Sequence, residues 1–380
     1  MAAHPNTTTL RSVLCQQKPV IQSAIKADNR TAKNSKNDKW PVVSGDTITR
    51  WDEFNLNNLN ESYGHVLDLD VTGLFAVPDP DQVLLGLQIE VPKDALHLIE
   101  WNDLVMEPTL KFAKEHLRIQ AGVLLRHRCS TRDGSSIARV IGPKKTQVDH
   151  LIALDQEQVP QLVIGLSRPG AKFKGKQLAN HPIDSNQEVM WPVKQLANMC
   201  RDANTRYGYI LTEEDLTACC FARTGPGNSD WTVALMPVPW STYGPEKLTS
   251  DLALWWLCML AMSGPENRTI QRDREMTRIN EWEEIHYNDG RFPVRRHKYS
   301  RHEKLLMDDM GFVNEFVNDV EFVNPNDNPN DNPNDVEFVN PNNVELANPN
   351  NVELANPNDN PNDVEDYPVE NYSDFLHDHF

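Results

Sequence analysis

Residues Gln161–Phe173 read QLVIGLSRPGAKF. Leu162, Val163, Ile164 and Leu166 form an apolar run closed by a Pro169–Gly170 turn, shorter than an ordinary helix. An apolar run of this length between turn signals reads as a strand. The run exits through Ser167 and Arg168, and Lys172 and Lys174 follow the turn. Such a strand delivers charged side chains to the end of a sheet, which is where α/β folds place their sites.

The flanking sequence extends this pattern. Upstream, HVLDLDVTGLFAV (65–77) and QVLLGLQIEV (82–91) read as strands, and DLVMEPTLKFAKEHLRIQAGVLL (103–125) reads as a helix whose start Pro108 can shift. SIARVIG (136–142) and QVDHLIAL (147–154) read as two further strands leading into 161–167. Downstream, Val193, Leu196, Ala197 and Cys200 recur at helical spacing behind Pro192, which suits a first turn. GYILTEEDLTACCFAR (208–223) reads as two strands around an acidic turn, and WTVALMPVPW (231–240) as another. TSDLALWWLCMLAMSGP (249–265) has an N-cap in Thr249 or Ser250 and a stop in Gly264–Pro265. It is apolar on every face, which predicts a helix deep in the core. The expected class is α/β (α+β), a mixed sheet flanked by helices.

At 380 residues the chain has room for one large domain or two small ones. Its net charge of −18 is unevenly placed: 16 of the 55 acidic residues, and none of the 37 basic ones, lie in 311–380. Residues 1–310 therefore hold 39 acidic against 37 basic groups, and an acidic total does not exclude a basic patch. Residues 1–45 are rich in Asn, Thr, Lys and Ser and are expected to be mostly disordered. Residues 46–310 form the expected domain. Residues 311–380 carry an Asn-Pro repeat too poor in apolar groups to offset its ordering entropy, and are expected to be a disordered tail. The six cysteines make no C-x-x-C pair and are expected to be free and buried. The N-terminus lacks a signal-peptide core, and the longest apolar run, 252–262, is too short to span a bilayer. The expectation is an intracellular protein, cytoplasmic or nuclear, without membrane association.

The stretches TRYGYILTEEDL (205–216), PVPWS (237–241) and LTSDLALWWLCMLAMSG (248–264) resemble a family of uncharacterised filamentous-fungal proteins. Those proteins carry an R-Y-G-(F/Y)-I-(L/I)-T stretch, a P-W stretch and an apolar L-A-L-W helix. The resemblance covers Val140 to Gly264. The element order helix, strand, strand, strand, helix, strand also resembles the PD-(D/E)XK nuclease core. In that pattern, acids on the second and third strands bind Mg²⁺ and a lysine two positions on stabilises developing charge. Hard oxygen ligands suit Mg²⁺, which activates water and clamps the phosphate.

The resemblance implies Asp149 as the first acid and Gln195 as a helix residue of the site. It sets Leu166 where the second acid belongs and Arg168 where the lysine belongs. Leu166 cannot ligate a metal and Arg168 cannot act as a base, so the implied site is degenerate and holds no metal. Glu188 is the acid that could replace the missing ligand; only then is Mg²⁺ an expected cofactor.

A second basic segment, RFPVRRHKYSRHEK (291–304), places Arg295, Arg296, Lys298 and Arg301 beside Phe292 and Tyr299. With Lys172 and Lys174 these residues are candidates for nucleic-acid contact, the rings being available for base stacking. A nuclear-import signal or a solvated helix is the alternative. No Walker A loop, nucleophile elbow, H-E-x-x-H, Rossmann glycine pattern or kinase signature occurs. The leading expectation is a non-catalytic protein acting by binding nucleic acid or protein. The alternatives are a Mg²⁺ nuclease using Glu188 and a structural protein that displays the repeat tail.

Overall fold

The run at 161–167 is a strand buried on both faces, and a seven-stranded mixed sheet is built around it. A computed structural model describes residues 7–25, 34–119, 122–127, 140–142, 146–155, 160–182, 187–225, 231–287 and 291–306. The chain divides at 306/307, and the repeat tail lies outside the described residues.

In chain order the sheet strands are β1 (Ile48–Arg50), β2 (Gly122–His127), β3 (His150–Asp155), β4 (Gln161–Ser167), β5 (Tyr207–Leu211), β6 (Asp215–Arg223) and β7 (Trp231–Pro239). Their spatial order is β1-β7-β6-β5-β4-β3-β2. Pairs β2/β3, β3/β4, β5/β6 and β6/β7 are antiparallel, whereas β4/β5 and β7/β1 are parallel. The crossover between parallel β4 and β5 is made by helix.

Helices cover both faces. On one lie α1 (Leu10–Leu14), α2 (Leu56–Leu67), α3 (His97–His116) and α6 (Ser250–Met262), packed on Ile152, Val163, Tyr209, Ala218 and Met236. On the other lie α4 (Gly175–Asn180) and α5 (Gln187–Ala203), packed on Leu151, Ile164, Leu166, Ile210 and Phe221. Two glycines let the layers close. A Cβ on Gly165 would sit 2.5 Å from Cζ of Tyr209, and one on Gly208 would sit 2.9 Å from Sγ of Cys200 on α5. Thr249 caps α6 by accepting from the Leu252 amide at 3.2 Å, and every residue of the helix is buried. Each fully buried leucine there contributes about 1.5–3 kcal/mol.

Several local expectations fail for physical reasons. Most of 65–77 is the end of α2 and the turns after it, not a strand. The buried set Leu59, Tyr63, Val66 and Leu67 has helical spacing, and it begins upstream of the apparent alternation. In 82–91, Asp79 and Pro80 start a short helix, Pro80–Leu84, leaving a strand of only Gln88–Ile89. The helix read over 103–125 runs instead from His97 to His116; Arg118 at φ 58° turns the chain, and Gly122 opens β2. The first of the three antiparallel strands is thus β2, not 136–142. Of that stretch only 140–142 is described, and Val140–Ile141 pairs with Thr146–Gln147 outside the main sheet.

The segment expected to be loose, 1–45, divides. Residues 1–6 and 26–33 lie outside the described residues, whereas Leu10, Val13, Leu14 and Lys18 are buried in the domain. Residues 282–305 form a separate three-stranded sheet of β8 (Trp282–Ile285), β9 (Val294–His297) and β10 (Glu303–Leu305). Cys15, Cys200, Cys219, Cys220 and Cys258 are free and buried, and burial pushes the Cys15 and Cys220 thiols up to about 11. Among the described residues no helix is long and apolar enough to cross a membrane.

Candidate functional site

The end of β4 brings together three residues read from the sequence as a site. Asp149 sits just before β3, 5 % exposed, and its Oδ2 accepts from the Ser167 amide at 3.1 Å and from Arg168 Nη1 at 3.3 Å. Arg168 Nη1 also donates to the Ser167 carbonyl at 2.6 Å, and Nη2 donates to Oε1 of Gln195 at 2.6 Å. Gln195 reaches in from α5, whose Val193, Leu196, Ala197 and Cys200 pack on the sheet. A guanidinium therefore ties the carboxylate to the helix amide. An arginine at this position supplies charge and geometry but is not itself a base.

Leu166 is fully buried under α5, among Ile164, Val193 and Ile210. Glu188 turns to the N-terminal segment: its side chain pairs with Lys36 and its carbonyl accepts from Asn34 Nδ2 at 2.9 Å. Among the described residues no group of three or more His, Cys, Asp or Glu is arranged to hold a metal ion.

The loop after β4 carries the remaining candidates. Gly170 N donates to Oε2 of Glu213 at 2.7 Å, and Lys174 pairs with Glu214. Lys172 makes no ion pair among the described residues, and burial together with the Arg168 cation lowers its pKa. Asp215 lies close by at the start of β6, and burial raises it to about 6 against the opposing hydrogen bond from Thr217. The loop cations are thus interleaved with Glu213, Glu214 and Asp215.

The second basic segment is a sheet, not a helix, and it is largely neutralised. Arg295 faces Glu284 at 3.6 Å, Arg296 meets Glu303 at 2.6 Å, Lys298 pairs with Glu281, and Arg301 reaches Glu283 at 3.4 Å. The strand register creates two of these pairings, because β8 lies antiparallel to β9 and sets Glu284 opposite Arg295, and β10 lies antiparallel to β9 and sets Glu303 opposite Arg296. The hydrogen bond from Lys298 lowers the Glu281 pKa. Tyr299 is 2 % exposed and hydrogen-bonded at both sides of its hydroxyl, so it is not available for base stacking; Phe292 is 78 % exposed.

Two buried polar clusters had no local signal. His150 contacts Tyr209 Oη at 2.5 Å through Nδ1 and Asp103 Oδ1 at 2.6 Å through Nε2, with Asn102 Nδ2 at 3.4 Å from the same hydroxyl. Lys18 bonds Ser250 and Asp251 Oδ1, lies 3.9 Å over the Trp240 ring, and shares Asp251 with the Trp101 indole N–H at 3.1 Å. Each joins segments distant in sequence.

No protein-family model, no curated protein and no solved structure matches the chain.

Proposed function

We propose that this chain is a non-catalytic binding protein on a degenerate nuclease-like core, with a protein rather than a nucleic acid as its partner. The observation that carries this reading is the Arg168 guanidinium bridging Asp149 and Gln195. A cation already stands on the carboxylate that a Mg²⁺ ion would need. Leu166 packs into the core instead of offering an oxygen, and Glu188 is engaged with Lys36. The choice of partner is supported by the pairing of Lys174, Arg295, Arg296, Lys298 and Arg301 with carboxylates. Nucleic-acid affinity comes mainly from cations that release counterions from phosphates, and a cation held by a carboxylate contributes less to that.

Two measurements test the reading. With Mg²⁺ or Mn²⁺ the protein should leave plasmid and single-stranded DNA uncut; metal-dependent cleavage lost in Asp149→Ala overturns the non-catalytic assignment. In fluorescence anisotropy, a labelled oligonucleotide should show no tight binding at low salt. Binding that falls steeply as salt rises restores nucleic acid as the partner.

A further inference from the structure

His297 closes β9 and is 1 % exposed, and both of its ring nitrogens are engaged. Nε2 lies 3.0 Å from the Ile279 carbonyl, which can only accept, so the ring proton sits on Nε2. Nδ1 then accepts from two backbone amides, Tyr299 N at 3.3 Å and Ser300 N at 3.2 Å. The His297 backbone N–H donates to the His302 carbonyl at 2.8 Å, and its carbonyl accepts from Arg301 N at 3.0 Å. A neutral imidazole thus holds the turn between β9 and β10 from inside.

That turn carries contacts from the three-stranded sheet to the rest of the domain. Tyr299 Oη accepts from Arg206 Nη2 at 2.6 Å and donates to the Thr277 carbonyl at 2.8 Å. Arg206 immediately precedes β5 and is 1 % exposed. His302 stacks on His65 of α2, with ring centroids 4.3 Å apart and planes 15° from parallel.

The surroundings disfavour an imidazolium. From β8 the Trp282 ring meets His297 edge-on at 5.0 Å. From the turn and β10, His302 and Lys304 oppose a further positive charge. From α2 comes His65, itself a cation once protonated, while Glu61 of that helix is exposed and lies beside Trp282. Arg278 is exposed in the segment that carries Ile279. The carboxylates of the sheet are already paired: Glu281 with Lys298, Glu283 with Arg301, Glu284 with Arg295 and Glu303 with Arg296. Burial, together with the His302 and Lys304 charges, pushes the His297 imidazole down to about 4, against the hydrogen bond to the Ile279 carbonyl.

We propose that His297 is the pin of an acid-operated latch: protonation at Nδ1 expels the Tyr299 and Ser300 amides, frees the three-stranded sheet from the domain and bares Arg206. Nδ1 cannot carry a proton and accept two amides at once. The closed latch requires the neutral ring, so its hold is full above the ordinary value of 6.5 and is lost as pH falls towards 4. With these two values, the opening constant rises about twentyfold between pH 7 and pH 5. The latch does not depend on the function proposed above.

The test is hydrogen exchange of the full-length protein, followed by mass spectrometry at pH 7 and pH 5 and corrected for the intrinsic pH dependence of amide exchange. Protection in 294–302 should fall at least tenfold on acidification, whereas α6 should keep its protection within threefold. His297→Gln puts a neutral group that still donates and accepts in place of the ring, and the fall should shrink below threefold. Unchanged protection of 294–302 in the wild type overturns the proposal. So does an equal loss in α6, which would be general acid unfolding, and so does a tenfold fall that persists in His297→Gln. Should that variant fail to fold, the ring ¹⁵N shifts of His297 in the wild type decide. They must report a neutral ring protonated at Nε2 at pH 7 that gains its second proton as protection is lost. A ring charged at pH 7, or one still neutral once protection has gone, overturns the latch.

Discussion

Arg168 and Arg206 stand at opposite ends of one parallel strand pair, β4–β5, and meet opposite conditions. Arg168 is one-fifth exposed at its side chain and is shared by a carboxylate, a carbonyl and an amide oxygen. Arg206 is almost fully buried, yet only a phenol accepts from it. The same residue type acts in one place as an internal strut and in the other as a charge without a counter-charge. The difference lies in what the neighbouring elements bring. Asp149 and α5 converge on the first arginine, whereas Tyr207 and Tyr299 enclose the second.

The comparison is sharpest against a pair that is fully buried and fully matched. Lys18→Met should strand Asp251 in the interior beside α6 and lower stability by about 3–5 kcal/mol, read from the urea midpoint. A loss under 1 kcal/mol would mean that burial of that pair is not what anchors residues 7–25. Arg168→Met should cost less, about 2–3 kcal/mol, because its pair with Asp149 is partly wet but Asp149 itself is not.

Next in size is Asp215, a buried acid beside the loop that follows Arg168. Its folded pKa, about 6, lies above the 3.8 of an unperturbed aspartate. The folded state therefore holds the proton longer than the unfolded chain does. This contribution is fully present below about pH 4 and is lost as pH rises to about 6. Asp215→Asn should remove that slope. Wild type should lose on the order of 2 kcal/mol relative to the variant across that window, and parallel stability–pH curves would show that Asp215 is well solvated. The smallest effect should come from Arg206→Met. Removing an unmatched buried cation gives up one hydrogen bond to Tyr299 and relieves a desolvation penalty, so stability should change by less than about 1 kcal/mol. A loss as large as that of Lys18→Met would erase the contrast between matched and unmatched charges.

Where the local pattern is strong, the sequence is legible. The strand at 161–167 follows from an unbroken apolar run between turns, α6 from its cap and stop, and α5 from four apolar positions at one helical face. Asp149, Arg168 and Gln195, which were named together only through the resemblance to the nuclease pattern, do meet at one end of the sheet. The 65–77 stretch misleads, since a few alternating residues fit the end of a helix as well as a strand. Segment 291–304 misleads differently. Its cations are obvious, but the glutamates that pair with most of them come from 281–284 and 303; strand register sets Glu284 opposite Arg295 and Glu303 opposite Arg296, and the turn between the strands brings Lys298 and Arg301 to Glu281 and Glu283.

Composition and periodicity alone determined that this chain carries an α/β domain with a strand at 161–167, an all-apolar helix and an acidic repeat in 311–380. Those properties depend on residues a few positions apart, so the chain expresses them before it folds. Which charges are matched was decided only by tertiary structure. An ion pair or buried hydrogen bond requires atoms within a few ångströms, and Lys18–Asp251, Asp103–His150 and Arg206–Tyr299 join residues far apart in the chain. Nothing in the sequence around Arg206 records that it is enclosed without a carboxylate; the packing of β5 against the segment that carries Tyr299 does that.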